Sequence, residues 1–235
     1  MLTRRRLFAA LALTATLAGC TSGGGGNDLR QPVSDLPDGA ALLKESAEAT
    51  KSVESGHFSL HVDGQINAIP VQNAEGDITR KNGGGAQGTV KLTFMGSVIE
   101  GKFVLTPDDL FIQGPTGGYQ KLSAGLVTSI YDPSAILDPD RGVANVVAKV
   151  QQPRTEGEEE VDGVETYKVS GTVAKDVVLE IVPGVTQDVP VSVWIRTDNK
   201  QPAQARVTVP QGDQEGTVTL KLSEIGKDVT ITPPN

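Results

Sequence analysis

Cysteine and aromatic residues are both scarce in this 235-residue sequence, which contains one cysteine and 4% aromatic residues. A single cysteine excludes a disulfide within the chain, so the folded state must be stable through its core alone. Because Trp, Tyr and Phe are few, we expect that core to consist mainly of aliphatic side chains. The length allows one sizeable core and hence a single domain.

Basic residues are outnumbered, with 21 Lys and Arg against 29 Asp and Glu. The first 19 residues carry three of the arginines and no acidic residue, which leaves the rest of the chain with a net charge of −11. Nucleic acids and anionic lipid surfaces both attract clustered Lys and Arg. The composition therefore disfavours nucleic acid as a partner and electrostatic adhesion as the route to a membrane.

Long hydrophobic runs are also missing, and the most extended one, Leu7–Ala18, lies near the start of the chain. It follows three consecutive arginines, Arg4 to Arg6. A positive segment before a short apolar run predicts a secretory signal peptide, here residues 1–19, whereas a permanent transmembrane helix needs about 20 apolar residues. The arginines also resemble a twin-arginine motif, so both general and twin-arginine export stay open.

Residues 17–20, Leu-Ala-Gly-Cys, resemble a bacterial lipobox. The resemblance implies that Cys20 carries an S-linked diacylglycerol, becomes the first residue after cleavage and is acylated on its new amine. Two or three acyl chains hold a protein stably on a bilayer. We therefore expect a cell-membrane location on the extracytoplasmic face, with cell-wall and secreted forms as alternatives. A free thiol beside an uncleaved site is the other interpretation.

Residues 20–38 are rich in Gly, Ser, Asp and Pro and lack periodicity, which predicts a flexible tether. Asp38 is a good N-cap residue for a helix over Gly39–Ser55, whose apolar positions are mostly small. Residues 39–235 then form one domain.

Most of that domain alternates apolar and polar residues with a period of two, which predicts antiparallel strands. The pattern predicts roughly ten strands, drawn from eleven alternating segments: His57–Ile66, Gly76–Lys81, Gly88–Met95, Ile99–Leu105, Asp109–Gly114, Tyr119–Leu122, Thr166–Val173, Val189–Thr197, Ala203–Pro210, Gly216–Gly226 and Val229–Thr232.

Helices are few in the predicted domain. Two or three short ones fit Ser123–Val150, where Asp132-Pro133 and Asp138-Pro139 have the residue types of a helix start. Another fits Lys175–Val182, and the acidic stretch Glu156–Gly163 is predicted to be a solvated hairpin loop. The fold class is α+β. Strands outnumber helices so strongly that the sheet must close into a barrel, pair into a sandwich or curl around something apolar.

Catalytic and metal-binding patterns are weak. His57 and His61 share a strand face, but positions four apart on a strand are separated by about 13 Å, too far to share one metal. The run Glu156–Glu160 lacks the alternating spacing of a calcium loop. The sequence also contains no nucleophile elbow, phosphate-binding loop or dinucleotide motif. We expect no catalysis, no metal and no cofactor.

Several dispersed segments resemble LprG-type lipoproteins of mycobacteria and their relatives. The segments are Ser55–His57, Gly88–Thr93, Ile130–Pro133, Leu137–Pro139, Gly142–Asn145, Tyr167–Gly171, Pro190–Ile195 and Val229–Pro234. The resemblance implies a strongly curved antiparallel half-barrel with short helices in its hollow, enclosing an apolar cavity for the acyl chains of envelope glycolipids or phospholipids. Family members are linked to triacylated lipids, phosphatidylinositol mannosides and lipoarabinomannan, and to a major-facilitator efflux transporter.

Within this resemblance, Val90 matches a cavity-lining position, and Leu92 and Phe94 share its face by alternation. The sequence departs from the family in a longer Gly-rich loop at Asn82–Gly88 and a more acidic loop at Glu156, so headgroup preference and partner remain open. The alternatives are a non-catalytic interaction module of the envelope without a lipid ligand and, less favoured, a lipid-modifying enzyme.

Overall fold

A computed structural model describes residues 36–64, 66, 68–94, 96–115, 117–125, 133–212 and 214–234. The predicted signal peptide, Cys20, most of the predicted tether and the segment Ile130–Asp132 lie outside the described residues. Residues 35–235 form one compact unit. Within the described part of the chain, no helix is long and apolar enough to cross a bilayer.

One antiparallel sheet of eleven strands dominates the fold. The strands are β1 (Ser55–Asp63), β2 (Val71–Thr79), β3 (Gly85–Phe94), β4 (Ser97–Leu105), β5 (Asp109–Gln113), β6 (Tyr119–Ser123), β7 (Gln151–Val161), β8 (Val164–Val173), β9 (Val189–Arg196), β10 (Pro202–Gln211) and β11 (Gln214–Ser223). Their spatial order is β6-β5-β4-β3-β2-β1-β11-β10-β9-β8-β7, so the sheet is open, with β6 and β7 at its edges.

One contiguous apolar core follows the inner face of the sheet, from Leu110 of β5 to Val169 of β8. The helix Gly39–Lys51 contacts β7 and β9, and the 3₁₀ turn Pro133–Leu137 contacts β2 and β3, so short elements lie against both halves of this face. The open antiparallel sheet with a few short helices on its inner face confirms the predicted fold class.

Among the described residues, three short α-helices lie in the hollow: α1 (Gly39–Lys51), α2 (Val143–Ala148) and α3 (Lys175–Val178). Single 3₁₀ turns occupy Lys81–Gly83 and Pro133–Leu137. The predicted N-cap of α1 is confirmed, since Asp38 Oδ1 accepts a hydrogen bond from the Ala41 amide at 2.8 Å. Beyond the other end of α1, the Arg80 guanidinium donates to the carbonyls of Lys51 and Val53, which would otherwise lack partners.

Small residues let α1 lie close to its neighbours. Leu42, Leu43 and Ala47 face the core, and α1 packs against α2 and against β7 and β9. A Cβ at Gly39 would sit 3.2 Å from the Thr155 amide of β7, which shows how tightly this end is packed. Helix α1 therefore covers the β7–β9 side of the hollow.

The acidic stretch Glu156–Gly163, predicted as a loop, is mostly the end of strand β7. Only Asp162 and Gly163 form the turn to β8, with positive φ values of 50° and 82°. This Asp-Gly pair between two valines is the usual two-residue hairpin turn. An edge strand also tolerates many charges and a proline such as Pro153, because its outer side needs no partner strand.

Four smaller predictions were also wrong. Val229–Thr232 joins no strand, although Val229 is buried. Asp138 caps the turn at Asp140 and Arg141, while α2 begins later, after Gly142. The helix predicted over Lys175–Val182 ends at Val178, and the expected Gly-rich loop at Asn82–Gly88 is already β3 from Gly85 onward.

The C-terminal segment after β11 closes the lower end of the half-barrel, where β1 begins. The Ser55 hydroxyl donates to the Lys227 carbonyl at 2.7 Å, and Lys227 Nζ lies 2.9 Å from Asp77 Oδ1. Ile231 lies beside Gly85, where its Cδ1 would be 3.3 Å from an added Cβ. The opposite, upper end carries Asp63, Val71 and Phe94.

Candidate functional site

The inner face of the sheet is unevenly covered. At one level of the sheet, Leu60, Ala74 and Val90 are paired neighbours on β1, β2 and β3, and all three are only partly buried. Val193 and Val169, at the same level on β9 and β8, are completely buried. The covering helices therefore leave the upper part of β1–β4 half-exposed on its apolar side.

Two chain segments meet above this uncovered region, and together we call them the mouth. The first is residues 66–71, which lead from β1 to the first residue of β2 and of which Asn67 lies outside the described residues, and the second is residues 179–185, after α3. They touch directly, since a Cβ added at Gly184 would overlap the Cβ of Ala68. Gly184 also has a φ of +83°, a conformation that favours glycine. The mouth is closed in this conformation.

Two apolar cavities lie beneath the mouth. The first, about 70 Å³, is lined by Leu60, Val62, Ala68, Ile69, Pro70, Val71, Ile181, Pro183 and Val218. The second, about 30 Å³, is lined by Leu60, Ile136, Val143, Val146, Val147, Ile181, Val182, Ala205, Val207, Val218 and Leu220. Leu60, Ile181 and Val218 border both cavities, so the two cavities are adjacent.

A larger depression of about 570 Å³ lies over β1–β4. Most of its lining residues, including Glu75, Thr89, Lys91 and Lys102, alternate with the inner-face residues and therefore lie on the outer face. Its polar lining does not suit acyl chains, so the small apolar cavities mark the better candidate site despite their size.

The predicted lining residues occupy different places. Val90 packs against the core and Leu92 is half-buried, but neither borders the two apolar cavities in the closed conformation. The side chain of Phe94 and the whole of Cys20 lie outside the described residues. A cavity-lining role for Val90, Leu92 and Phe94 thus stays a prediction that concerns an opened pocket.

The two histidines are engaged separately with β2. His57 Nδ1 lies 3.0 Å from Asp77 Oδ1, and His61 Nδ1 lies 2.6 Å from Asn73 Oδ1. Among the described residues, no group of three His, Cys, Asp or Glu side chains is arranged to hold a metal. Neither histidine lines an apolar cavity, so both belong to the polar outer face.

Charges also cluster on the outer face of the covered half. Trp194 is nearly buried between Lys168 and Arg206, whose cationic groups lie 5.4 and 5.2 Å from its ring, and its Nε1 donates to Glu159 at 2.6 Å. Hydrogen bonds from Ser170 and Lys168 lower the pKa of Glu156, and the bond to Glu156 raises the pKa of Lys168. These contacts fasten β7 to β8, β9 and β10.

Comparison with known proteins identifies the fold's relatives. Residues 38–231 match the LppX_LprAFG lipoprotein family. This chain belongs to that family. The match spans the whole described sheet, and it confirms the resemblance seen in the sequence.

The LppX_LprAFG family includes similar proteins of known sequence and structure. The chain is 39% identical to "Lipoarabinomannan carrier protein LprG" of Mycolicibacterium smegmatis, covering 97% of this chain and 94% of that one, and 35% identical to the LprG of Mycobacterium leprae, covering 98% and 96%. The crystal structure of LprF from Mycobacterium bovis superposes with a TM-score of 0.74 at 30% identity, over 83% of this chain and 96% of LprF. That of LppX from Mycobacterium tuberculosis gives 0.63 at 20% identity, over 82% and 97%, and so shows the fold alone.

Sequence reasoning missed the two segments of the mouth. Residues 66–71 follow a strand, and residues 179–185 were mostly assigned to a helix, so neither was considered as part of a site. The available signal was a pair of apolar stretches ending in proline, Ile69-Pro70 and Ile181-Val182-Pro183, in positions where a surface loop is normally polar.

Proposed function

We propose that this chain is a lipid carrier that binds the acyl chains of envelope glycolipids or phospholipids, lipoarabinomannan-like lipids among them, in the hollow of its half-barrel. The observation that carries the proposal is the uncovered apolar inner face of β1–β4 beside two apolar cavities. The relatives named lipoarabinomannan carriers support this ligand class. In this proposal the chain performs no catalysis.

Acyl chains enter only when the mouth opens. The cavities of about 70 and 30 Å³ are well below the roughly 300–1,000 Å³ of ordinary ligand pockets. Separation of residues 66–71 from 179–185 would join both cavities to the half-exposed face that carries Val90 and Leu92. The contact between Ala68 and Gly184 would then be the one that breaks.

The energetics of loading suit a carrier. Burying one methylene from water is worth about 0.8 kcal/mol, so some forty methylenes would amount to roughly 30 kcal/mol. A lipid that comes from a bilayer is already dry, however, and the exchange into a dry pocket is close to balanced. Small free-energy differences at the mouth can therefore decide between loading and release.

Acylation of Cys20 would keep the carrier at the extracytoplasmic face of the cell membrane. From there the lipid would be transferred toward the outer envelope, with a major-facilitator efflux transporter as the partner that the family resemblance suggests. The outer-face charges around β7, which carries four glutamates, would be available for such protein contacts.

Native mass spectrometry tests the proposal. The chain from residue 21 onward keeps every described contact and lacks cysteine. Expressed in an actinobacterial host, it should carry co-purified lipid whose mass and fragments identify the acyl chains. A protein that emerges without lipid, and takes up none from mixed phospholipid and glycolipid micelles, would favour the interaction module instead.

A further inference from the structure

We infer that the mouth end of the half-barrel is a membrane-docking surface whose partner is the hydrocarbon region of a phospholipid bilayer. The inference rests on the proposed carrier function and names the surface through which a lipid would be taken up or delivered. We call this surface the rim and define it as Ala68, Ile69, Pro70, Val98, Leu179, Ile181 and Pro183.

Exposed apolar side chains are concentrated at the rim. The described residues include three large hydrophobic side chains that are strongly exposed, namely Val98 at 56%, Leu179 at 47% and Leu122 at 39%. Leu179 begins the second segment of the mouth. Val98 is paired with Thr93, whose amide bonds to the Pro70 carbonyl at 2.8 Å, so it lies at the same end of the sheet, on the outer face that Thr93 shares with Thr89 and Lys91. Only Leu122, paired with Leu110 near the lower end of β5, lies elsewhere.

The rim is continuous with the interior. Ile69, Pro70, Ile181 and Pro183 border the cavity of about 70 Å³ and are at the same time partly or fully exposed. A lipid that left a bilayer through this surface would pass from hydrocarbon to rim to cavity without its chains crossing water. The apolar residues are thus placed as insertion of the rim into the hydrocarbon of a bilayer requires, and contact with the bilayer surface alone would not require this placement.

Charge argues for insertion into hydrocarbon over adhesion to anionic headgroups. Exposed Asp176, Glu180 and Asp188 lie in or next to the second mouth segment, with Lys175 as the nearby cation. Such a surface is repelled by anionic lipid. Docking should therefore depend on the apolar residues, and it should be weaker, not stronger, on anionic vesicles.

The chain outside the described residues makes this docking geometrically available. Fifteen residues, and hence sixteen Cα–Cα steps, separate Leu36 from Cys20, the predicted acylation site. Fully extended, these sixteen steps span about 55 Å, more than the roughly 30 Å diameter of a small domain. An anchored molecule would keep its rim within reach of the same bilayer at all times.

Site-specific fluorescence tests the inference. In the chain from residue 21 onward, which lacks cysteine, Leu179→Cys and Val98→Cys carry an environment-sensitive nitrobenzoxadiazole label, and Leu122→Cys is the matched control. With phosphatidylcholine vesicles, the labels at 179 and 98 should brighten several-fold and shift to the blue, while the label at 122 stays unchanged. Circular dichroism checks that all three variants are folded.

Contrary outcomes are equally clear. No change at 179 and 98, an equal change at 122, or a signal that requires phosphatidylglycerol would each overturn the inference, and a signal seen only after adding an envelope protein would assign the rim to a protein partner. If native mass spectrometry finds bound lipid but the labels at 179 and 98 do not change, the rim is not a docking surface, and the carrier function still stands.

A Leu179→Glu variant should transfer lipid between vesicles several-fold more slowly while retaining lipid already bound.

Discussion

The two halves of the inner sheet face contain the same kind of aliphatic side chain but are covered differently. On β8 and β9, Val169, Val173, Val189 and Val193 have no exposed surface. On β1–β3, Leu60, Ala74 and Val90 remain partly exposed although they occupy equivalent inward positions. The difference follows the covering elements, because α1 packs over β7 and β9, whereas the shorter 3₁₀ turn Pro133–Leu137 contacts β2 and β3. A binding site can thus consist of inward-facing aliphatic side chains that the protein's own helices do not cover.

Substitution by tryptophan at two positions on the same level of the sheet should show the largest difference between the two halves. Val193→Trp should prevent folding, since overpacking a dense core costs 1–3 kcal/mol for far smaller additions. Val90→Trp should fold, because space lies above it, and should lower lipid uptake by filling that space. Thermal melts and lipid uptake followed by native mass spectrometry measure both effects.

Thr89→Trp is the control for that comparison, since Thr89 is exposed on the outer face of the same strand. It should leave both stability and uptake unchanged. Unaltered lipid uptake by Val90→Trp would reject Val90 as a lining residue of the opened pocket.

Truncations should show a smaller contrast. Ile195→Ala removes a fully buried side chain and should cost about 3 kcal/mol of unfolding free energy. Leu92→Ala removes a side chain already partly in water and should cost about 1 kcal/mol. Urea denaturation followed by circular dichroism measures both, and equal losses would mean that the two halves are equally packed.

The smallest contrast concerns pH and the lower end of the uncovered half. Burial acts to raise the pKa of Asp77, but hydrogen bonds from Lys227 and His57 outweigh it and lower that pKa below its ordinary 3.8. The bonds to Asp77 and Glu224 raise the pKa of Lys227 above 10.5. The stabilisation by Asp77 is therefore complete above its ordinary pKa and is lost as pH falls through the lowered value, whereas that by Lys227 is lost only as pH rises through the raised one.

Asp77→Asn should consequently lower the melting temperature by a few degrees between about pH 5 and 9, with a smaller difference below pH 4. Glu75→Gln, which changes an exposed carboxylate two positions earlier on β2, is the control and should have little effect. A difference that persists undiminished at pH 3 would show that the ion pair is not its cause.

The period-two pattern was enough to predict most strands, because each strand alternates regardless of what covers it, whereas the half-barrel was predicted from the family resemblance. Alternation could not tell Leu60 from Val193, since coverage depends on where α1 and α2 pack, which is a tertiary property. Val229–Thr232 alternates like a strand but finds no partner, because β11 is already flanked by β1 and β10. The mouth was missed because its apolar residues have no periodicity. The two segments form a site only through the tertiary contact between Ala68 and Gly184, which the sequence pattern does not predict.

Hydrogen exchange measured with and without bound lipid tests the central claim, that the covered half is a rigid wall and the uncovered half with its mouth receives the ligand. Lipid should increase protection of residues 66–71, residues 179–185 and the β3–β4 hairpin, while the amides of β8–β10 keep their rates. Protection that appears mainly in β8–β10, or no change anywhere in a protein shown to contain lipid, would contradict the account.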